Sequence, residues 1–304
     1  MAPVFSWPRC HNSTMARTVV PEAEELIDKE IKVLNHGFVR LVDYMGSDDR
    51  IVQAARVSYG SGTKSFRQDR GLIHYLLRNE HTSPFEQVNL TFHCKMPIFV
   101  ARQWVRHRTA RLNEISGRYS VMKDEFYVPD QDQMRGQSSD NKQARSEEVL
   151  LQAQQLIDKM VVEQGAVYEN YTSMLEAGLA REVARANLPL SLYTEWYWQI
   201  DLHNLFHFLA LRMDSHAQYE IRVYAEAMAE CARAVAPLAY EAFEEHKLGA
   251  VKFSRSECAA LVRILSGQES GLDGRPAAIF EDKLAKIRKA VGVESLEEPE
   301  PPKA

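Results

Sequence analysis

Residues 88–96, VNLTFHCKM, have the most regular secondary-structure pattern in the chain. Apolar side chains occupy every second position from Val88 to Met96, and polar side chains occupy the positions between them. Because successive side chains of a strand point to opposite faces, this pattern predicts a β-strand with one buried face. Pro97 follows the strand, and its missing N–H is not needed in the first turn of a helix. We therefore predict a helix over residues 98–108.

The predicted helix after Pro97 has an apolar face and a polar face. Its apolar face is expected to pack against the core through Ile98, Ala101, Trp104 and Val105. A polar loop is predicted to follow the helix through residue 114.

Weaker patterns outline the rest of the chain. A strand is predicted over residues 37–46, where a glycine ends an apolar run. The second half is predicted to be almost wholly helical. Helices are predicted at about residues 48–59, 68–80, 145–179, 180–190, 203–235 and 280–291.

The same patterns predict three parts of the chain. Residues 1–30 are expected to be an N-terminal extension, and residues 31–253 a single domain. Residues 254–304 are expected to be a helical C-terminal extension that ends in an acidic, proline-rich, disordered tail.

Composition excludes several classes of function. The formal net charge of -5 argues against a broad nucleic-acid surface, which needs many cationic contacts to phosphates. No apolar run approaches the roughly 20 residues that cross a bilayer. The four cysteines fit neither a disulfide framework nor a zinc knuckle. We expect a cytoplasmic protein without nucleic-acid or membrane partners.

Residues 103–120, QWVRHRTARLNEISGRYS, concentrate four arginines in this acidic chain. Such a run is often a solvated helix face whose salt bridges contribute little. Here arginine is used without lysine, and its planar fork is suited to phosphate and carboxylate groups. The run also contains the neutral hydrogen-bonding residues Gln103, Asn113, Ser116 and Tyr119. We therefore favour a pocket for a small polar anion.

A second polar constellation lies about a hundred residues further along the chain. His203 and His207 have helical spacing, with Asp201 before them and His216 beyond. This spacing can hold a metal ion, but the segment lacks the glutamate of a metalloprotease helix. We expect no metal site, and a metal-dependent hydrolase built on these four residues is kept as an alternative.

The arginine-rich run resembles a known family. RHRTARLNEIS fits the pattern R-H-R, seven residues, then S, which marks the flavin-dependent thymidylate synthases. HTSPFEQ, PIFVARQW, REVARANLPL and LRMDSHAQYEI are similar to other blocks of that family, in the same order. The resemblance covers roughly residues 38–252. It implies an α/β (α+β) fold with a twisted, mostly antiparallel sheet flanked by long helices, and a homotetramer with shared flavin sites.

The resemblance also implies an activity. Members make dTMP from dUMP, with 5,10-methylenetetrahydrofolate as one-carbon donor and NADPH as reductant through bound FAD, and they release tetrahydrofolate. Arg212 matches the arginine that polarises the uracil ring, a route that needs no enzyme cysteine. A non-catalytic nucleotide-binding protein is kept as an alternative, because Arg111 stands where most members carry serine.

The family's binding residues are carried over position by position. The residues implied to bind FAD are His81, Ser83, Arg106, His107, Arg108, Glu114, Asp201, Leu202, His203 and His207. Those implied to bind dUMP are Gln103, Trp104, Val105, Arg106, Glu114, Ile115, Ser116, Gly117, Arg118, Arg185 and Arg212. Ser116 is interpreted as a substrate contact, because its neighbours supply no base that could activate it as a nucleophile.

Overall fold

The computed structural model describes residues 18–57, 66–138 and 144–292. These residues form two compact units, the first ending at Phe243 and the second beginning at Glu244. The predicted boundary at residue 253 falls inside the second unit. The predicted disordered tail lies outside the described residues.

The first unit is built around a five-stranded antiparallel sheet with the strand order β1-β2-β3-β7-β4. Two further strands, β5 and β6, pair with each other in a separate ladder. The strands are β1 (Glu30–Val33), β2 (Gly37–Met45), β3 (Asn89–Pro97), β4 (Ala110–Glu114), β5 (Arg135–Gln137), β6 (Arg145–Val149) and β7 (Tyr193–Asp201).

Helices accompany the sheet, and this mixed architecture confirms the predicted α/β fold with a mostly antiparallel sheet. Within the described residues, none of the helices has the length and apolar character needed to cross a membrane. The helices of the first unit are α1 (Pro21–Glu24), α2 (Asp48–Ala55), α3 (Phe66–Arg78), α4 (Ile98–Trp104), α5 (Ala153–Glu176), α6 (Arg181–Ala184), α7 (Leu202–Arg212), α8 (Tyr219–Val235) and α9 (Pro237–Phe243).

Strand β3 lies in the middle of the sheet, between β2 and β7, and confirms the prediction for residues 88–96. The alternate side chains Leu90, Phe92, Cys94 and Met96 are fully buried. The helix predicted after Pro97 is also present as α4, but it ends at Trp104 instead of residue 108. Val105 was expected in the core and is instead 41% exposed, because the chain leaves the helix there.

Three strands of the five-stranded sheet were not predicted: β1, β4 and β7. Residues 193–201 form β7, which pairs with both β3 and β4, so the second half is not almost wholly helical. Residues 110–114 form β4, although a loop was predicted there. Strand β4 lies at the edge of the sheet and its side chains are mostly exposed, so it lacks the apolar alternation of a buried strand.

The predicted helices of the second half were too long. The helix predicted over residues 145–179 is shorter, because residues 145–149 form β6 and α5 begins only at Ala153. The helix predicted over residues 180–190 is reduced to α6 and a 3₁₀ turn at Arg185–Asn187. The helix predicted over residues 203–235 is two helices, α7 and α8, separated at residues 213–218.

An aromatic cluster fixes the end of α4 against the sheet. The indole of Trp104 is fully buried, and its ring centre lies 5.4 Å from those of both Trp196 and Trp198 on β7. Phe208 of α7 stacks on the same indole at 5.1 Å. Aromatic rings of this size bury large apolar areas in fixed relative orientations. The cluster therefore holds α4 and α7 close together, and the residues that follow α4 come out beside α7.

The second unit contains α10 (Arg255–Leu265) and α11 (Gly274–Ala290). Helix α11 includes the helix predicted around residues 280–291, whereas α10 was not predicted. Ser254 and Glu257 form a reciprocal capping box at the start of α10. Lys283 of α11 donates to both carboxylate oxygens of Glu257 at 2.8 Å, which ties the two helices together.

Candidate active site

The turn that follows α4 meets the C-terminal end of α7. Nε of Arg212 donates a hydrogen bond of 3.1 Å to Nε2 of His107. The His107 ring lies edge-on to Phe208 at 4.9 Å and 6.1 Å from the ring of His207. Both members of the bonded pair are half-buried. The structure therefore brings together the arginine expected to act on the uracil ring and the central histidine of the R-H-R motif.

The environment of His107 keeps its imidazole neutral. Burial, together with the smaller effects of the nearby Arg212 and His207, lowers the pKa of His107 to about 4. Nε2 accepts the bond from Arg212, so the ring proton lies on Nδ1. Burial also lowers the pKa of Arg212 from its ordinary value, but a guanidinium stays charged in proteins. The pair is one fixed cation beside a neutral acceptor.

The other two arginines of the R-H-R motif face outwards. Arg106 and Arg108 are exposed, and neither forms a hydrogen bond or ion pair with any residue that the structure describes. The side chain of Arg111, on the edge strand β4, is also exposed and has no hydrogen-bond or ion-pair partner among the described residues. Ordinary surface salt bridges would have placed carboxylates against these side chains. Their cationic groups are therefore available for an anion.

The loop after β4 forms a second group of predicted site residues. The Arg118 backbone N–H donates to Ser116 Oγ at 3.3 Å, and Nε of Arg118 lies 3.3 Å from a carboxylate oxygen of Glu182. Gly117 is buried beside Arg185, and a Cβ atom added there would lie 3.1 Å from Arg185 Cδ. The absence of a side chain at Gly117 thus permits the close approach of Arg185. Residues 116–118 and Arg185 share one location, as the resemblance implies.

Glu114 and Ile115 stand where β4 joins that loop. Thr194 Oγ1 donates to Glu114 Oε1 at 2.6 Å, which orients the carboxylate. The backbone N–H of Ile115 donates to the Glu195 carbonyl at 2.9 Å, and the Ile115 side chain is 40% exposed. These contacts attach the beginning of the loop to β7, so the loop has a rigid base.

Gln103 is part of a partly buried polar network that the sequence did not reveal. Its side-chain Nε2 donates to Oε1 of Gln218, and Nε2 of Gln218 donates to Oε2 of Glu220 at 2.8 Å. Glu220 is 1% exposed and also accepts from Tyr127 Oη at 2.8 Å and from Arg145. The block LRMDSHAQYEI contained Gln218 and Glu220, but nothing in it assigned them a role.

Several predicted site residues have their side chains elsewhere. Trp104 and Leu202 are fully buried in the core, so neither exposes its side chain to a ligand. Asp201 caps α7 by accepting from the Asn204 N–H at 2.9 Å. His81 and Ser83 are exposed in the turn after α3, where the His81 ring lies 5.8 Å from that of Tyr75.

The four residues of the metal-hydrolase alternative do not converge. Asp201 is engaged as a helix cap, and His216 Nδ1 lies 2.7 Å from Asp214 Oδ1. Over residues 18–57, 66–138 and 144–292, no group of three or more histidine, cysteine or acidic side chains has a geometry that could hold a metal ion. The alternative has no support from the geometry.

Comparison with known proteins gives consistent matches. The family model described as "Thymidylate synthase complementing protein" matches residues 40–238, and "Thymidylate synthase ThyX C-terminal domain" matches residues 251–290. The flavin-dependent thymidylate synthase of Treponema denticola is 60% identical over 265 residues, which cover 86% of this chain and 100% of the relative. The flavin-dependent thymidylate synthase of Treponema pallidum is 54% identical, over 90% of this chain and 91% of the relative.

A solved structure also matches the fold. The UMP/dUMP methylase PolB from Streptomyces cacaoi, bound with 5-Br dUMP, has a TM-score of 0.66 and 34% sequence identity. The match covers 72% of this chain and 99% of that one. The family models and the high identity of the two relatives show that this chain belongs to the flavin-dependent thymidylate synthase family.

Proposed function

We propose that this chain makes dTMP from dUMP by reductive methylation. The one-carbon unit comes from 5,10-methylenetetrahydrofolate, NADPH supplies the reducing equivalents through FAD, and tetrahydrofolate is released. Family membership and the likeness to a dUMP methylase support the reaction class. The single structural observation that carries the proposal is the hydrogen bond between Arg212 and His107, because it joins the predicted substrate-activating residue to the predicted flavin-binding motif.

The residues around the R-H-R motif fit FAD as a cofactor. FAD carries a pyrophosphate, and the exposed guanidinium groups of Arg106 and Arg108 have no carboxylate partner among the described residues. The neutral imidazole of His107 adds an uncharged ring beside them. We infer that these three side chains hold the cofactor, with His203 and His207 of α7 lining the same side. When bound, FAD supplies hydride transfer between NADPH and the one-carbon unit.

We infer that Arg212 acts on the uracil ring. Its Nε is used by His107, and no described residue accepts a hydrogen bond from either of its terminal Nη nitrogens. These N–H groups can therefore donate to a carbonyl oxygen of the uracil ring. A fixed, half-buried cation there stabilises the negative charge that develops on the ring, which makes the adjacent carbon nucleophilic. His107 orients the guanidinium for this contact.

The two cysteines that the structure describes in the first unit, Cys94 and Cys231, are poor candidates for an enzyme nucleophile. Cys94 and Cys231 are buried, and burial raises the pKa of both thiols, that of Cys231 to about 12. A thiol of that kind is not ionised near neutral pH, and the thiolate is the nucleophile. Polarisation by Arg212 therefore replaces nucleophilic catalysis in the proposal. The buried free thiols also favour a reducing compartment, in line with the predicted cytoplasmic location.

The phosphate of dUMP is assigned to the loop after β4. Arg185 lies against Gly117 there, and Ser116 and Arg118 lie on either side of that glycine. Two guanidinium groups and a hydroxyl are a suitable donor set for a phosphate. Gln103, Val105, Glu114 and Ile115 complete the proposed nucleotide site on the neighbouring turn and strand.

We propose that the site is completed in a homotetramer. In the described chain, no hydrogen bond or ring contact joins His81 or Ser83 to the pair Arg212–His107. A second copy of the chain that contributes His81 and Ser83 to the flavin would reconcile their predicted role with their exposed position. Mass measurement under native conditions, with and without FAD, tests this assembly.

An absorption spectrum tests the proposal as a whole. The purified protein, with FAD added, should show a flavin spectrum that bleaches when NADPH is added without oxygen. Addition of dUMP and 5,10-methylenetetrahydrofolate should then restore the oxidised spectrum. A protein that leaves the FAD spectrum and fluorescence unchanged would contradict the flavin assignment. Bound flavin without reoxidation would favour the non-catalytic nucleotide-binding alternative.

A further inference from the structure

A chain of hydrogen bonds connects the buried residue Glu220 to Gln103, a predicted contact of dUMP. Glu220 begins the chain, because Gln218 Nε2 donates to its Oε2 at 2.8 Å. Gln218 also bonds to Gln103, because its Oε1 accepts a hydrogen bond from Gln103 Nε2. We call the residues Glu220, Gln218 and Gln103 the amide relay. These hydrogen bonds connect the turn between α7 and α8 to the last turn of α4.

Glu220 is held in its ionised form. Burial alone would raise the pKa of Glu220, but hydrogen bonds from Arg145 and Tyr127 outweigh burial and leave this pKa below its usual value. Both of those donors reach Oε1, while Oε2 faces Gln218. An ionised carboxylate accepts hydrogen bonds and donates none.

The acceptor character of Glu220 fixes the orientation of each amide after it. Gln218 must turn its NH₂ group towards Glu220, so its carbonyl oxygen faces Gln103. Gln103 must then turn its NH₂ group towards Gln218, which leaves its own Oε1 on the other side. An isolated glutamine side chain would present either end of its amide to a ligand.

We propose that Glu220, acting through Gln218, is a positioning residue that makes Gln103 present a hydrogen-bond acceptor to dUMP. The proposal rests on the proposed function, because it takes Gln103 as a contact of the nucleotide. The phosphate of dUMP is a dianion near pH 8 and offers no donor. The group that Gln103 Oε1 recognises is therefore an O–H of the sugar or the imide N–H of the ring.

A purely structural role of Glu220 is the competing explanation. Its carboxylate also holds Arg145 at the start of β6, and Arg145 contacts the carbonyl of Gln133 at 3.5 Å. If the carboxylate mattered only for that contact, the direction of the hydrogen bonds in the relay would not affect ligand binding. The two explanations differ in what an isosteric change does.

Glu220→Gln is predicted to invert the relay. The new amide keeps its oxygen towards the two donors Tyr127 and Arg145, so its NH₂ group faces Gln218. Gln218 and Gln103 then both reverse, and Gln103 presents a donor to a donor on dUMP. We expect dUMP to bind the FAD-loaded variant about tenfold or more weakly by isothermal titration calorimetry. FAD affinity and reduction by NADPH should change less than threefold.

A second substitution should restore the original direction of the hydrogen bonds in the relay. In the double variant Gln218→Glu/Glu220→Gln, the new carboxylate accepts from both neighbours, and the net charge of the pair is unchanged. Gln103 again presents its oxygen, so dUMP affinity should return to within about threefold of the wild type. A structural role for Glu220 predicts no such rescue, because the carboxylate near Arg145 remains absent.

Tyr127→Phe is the matched control. It removes a hydrogen bond from Oε1 of Glu220 without touching the oxygen that faces Gln218. Its dUMP affinity should match that of the wild type. If Tyr127→Phe weakens dUMP binding as much as Glu220→Gln, or if the double variant shows no rescue, the relay is overturned. Should Glu220→Gln fail to fold, Gln218→Met replaces it, since this half-buried side chain leaves the carboxylate and Arg145 intact.

The remaining outcomes separate the relay from the proposed function. Unchanged dUMP affinity in Gln218→Met or Glu220→Gln would overturn the relay and leave the function standing. A wild type that binds FAD but no dUMP would instead refute the proposed function, and with it the relay. Binding of 2′,3′-dideoxy-UMP identifies the recognised group. If the penalty of Glu220→Gln disappears with this nucleotide, Gln103 contacts the 3′-hydroxyl, and if it persists, Gln103 contacts the imide.

Discussion

Arg212 and His107 are 105 positions apart in the chain, yet Nε of the arginine donates to Nε2 of the histidine at 3.1 Å. The contact assigns different parts of one guanidinium to different partners. Nε is fixed by a neutral imidazole, and the proposed function assigns the terminal nitrogens to the substrate. A histidine with an ordinary pKa would carry positive charge on part of its population and repel the arginine. The lowered pKa of His107 is therefore part of the same arrangement.

Loss of Arg212 should damage one half-reaction much more than the other. Arg212→Ala is expected to slow methylation of dUMP by about a hundred- to a thousandfold, because a preorganised donor to developing charge is removed. Arg212→Lys keeps the charge but loses the planar fork, so it should not restore the rate of methylation. Flavin reduction by NADPH, measured by stopped-flow absorbance, should change far less. Equal loss in both half-reactions would make Arg212 a general determinant of the flavin site.

The lowered pKa of His107 predicts an acid-sensitive stability. The unfolded chain titrates near the ordinary histidine pKa of 6.5, whereas the folded protein titrates near 4. As the pH falls through this window, only the unfolded chain takes up the proton, so the free energy of unfolding decreases. His107 is expected to account for about 1–2 kcal/mol of this decrease in the free energy of unfolding, once partial solvent screening is allowed for. His107→Gln should remove that part of the decrease. Urea unfolding at pH 7 and pH 4.5 measures it, and identical pH dependence in the two proteins would refute it.

The exposed arginine Arg108 should contribute to flavin binding and little to folding. Arg108→Ala is expected to raise the Kd for FAD about tenfold or more, because a charge-assisted contact to phosphate is lost. Arg102→Ala is the matched control, since Arg102 is also exposed and without an ion-pair partner in the described chain but is not assigned to the site. Flavin fluorescence titration measures both. Collapse of the circular dichroism spectrum in Arg108→Ala would instead indicate a structural role.

Gly117 should be intolerant of a methyl group. In Gly117→Ala the new Cβ would lie 3.0 Å from Met122 Sδ and 3.1 Å from Arg185 Cδ, so Arg185 must shift. We expect dUMP to bind on the order of three- to tenfold more weakly, through a displaced phosphate contact. Gly165→Ala in α5 is the control, because nothing lies within 4 Å of its added Cβ. That change should raise stability by about 0.5–1 kcal/mol and leave dUMP binding unaltered. Equal dUMP affinity in both variants would argue against the placement of Arg185.

A regular burial pattern made some of the elements predictable from the sequence. Strand β3 was predicted because one face is fully buried. Strand β7 has a similar alternation, with Trp196, Trp198 and Ile200 buried, but it lies between helical segments and was not predicted. Strand β4 offered no such signal, because an exposed edge strand is specified by backbone pairing with β7 and not by apolar side chains.

The contacts among the candidate site residues could not be predicted from the sequence. The resemblance named Arg212 and His107 separately, and only the packing of α4 against α7 through Trp104 and Phe208 brings them within hydrogen-bonding distance. The resemblance also named Trp104 without distinguishing its buried side chain from its backbone. Gln218 and Glu220 were missed, because their function depends on the direction of hydrogen bonds between distant elements.

Formation of dTMP is the most direct test of the central claim. The protein, stripped of flavin and reconstituted with FAD, is incubated with dUMP, 5,10-methylenetetrahydrofolate and NADPH, and the nucleotides are analysed by liquid chromatography and mass spectrometry. The account predicts dTMP together with released tetrahydrofolate, and loss of the product when FAD, NADPH or the folate is omitted in turn. A protein that binds FAD and dUMP but forms no dTMP with all components present would contradict it.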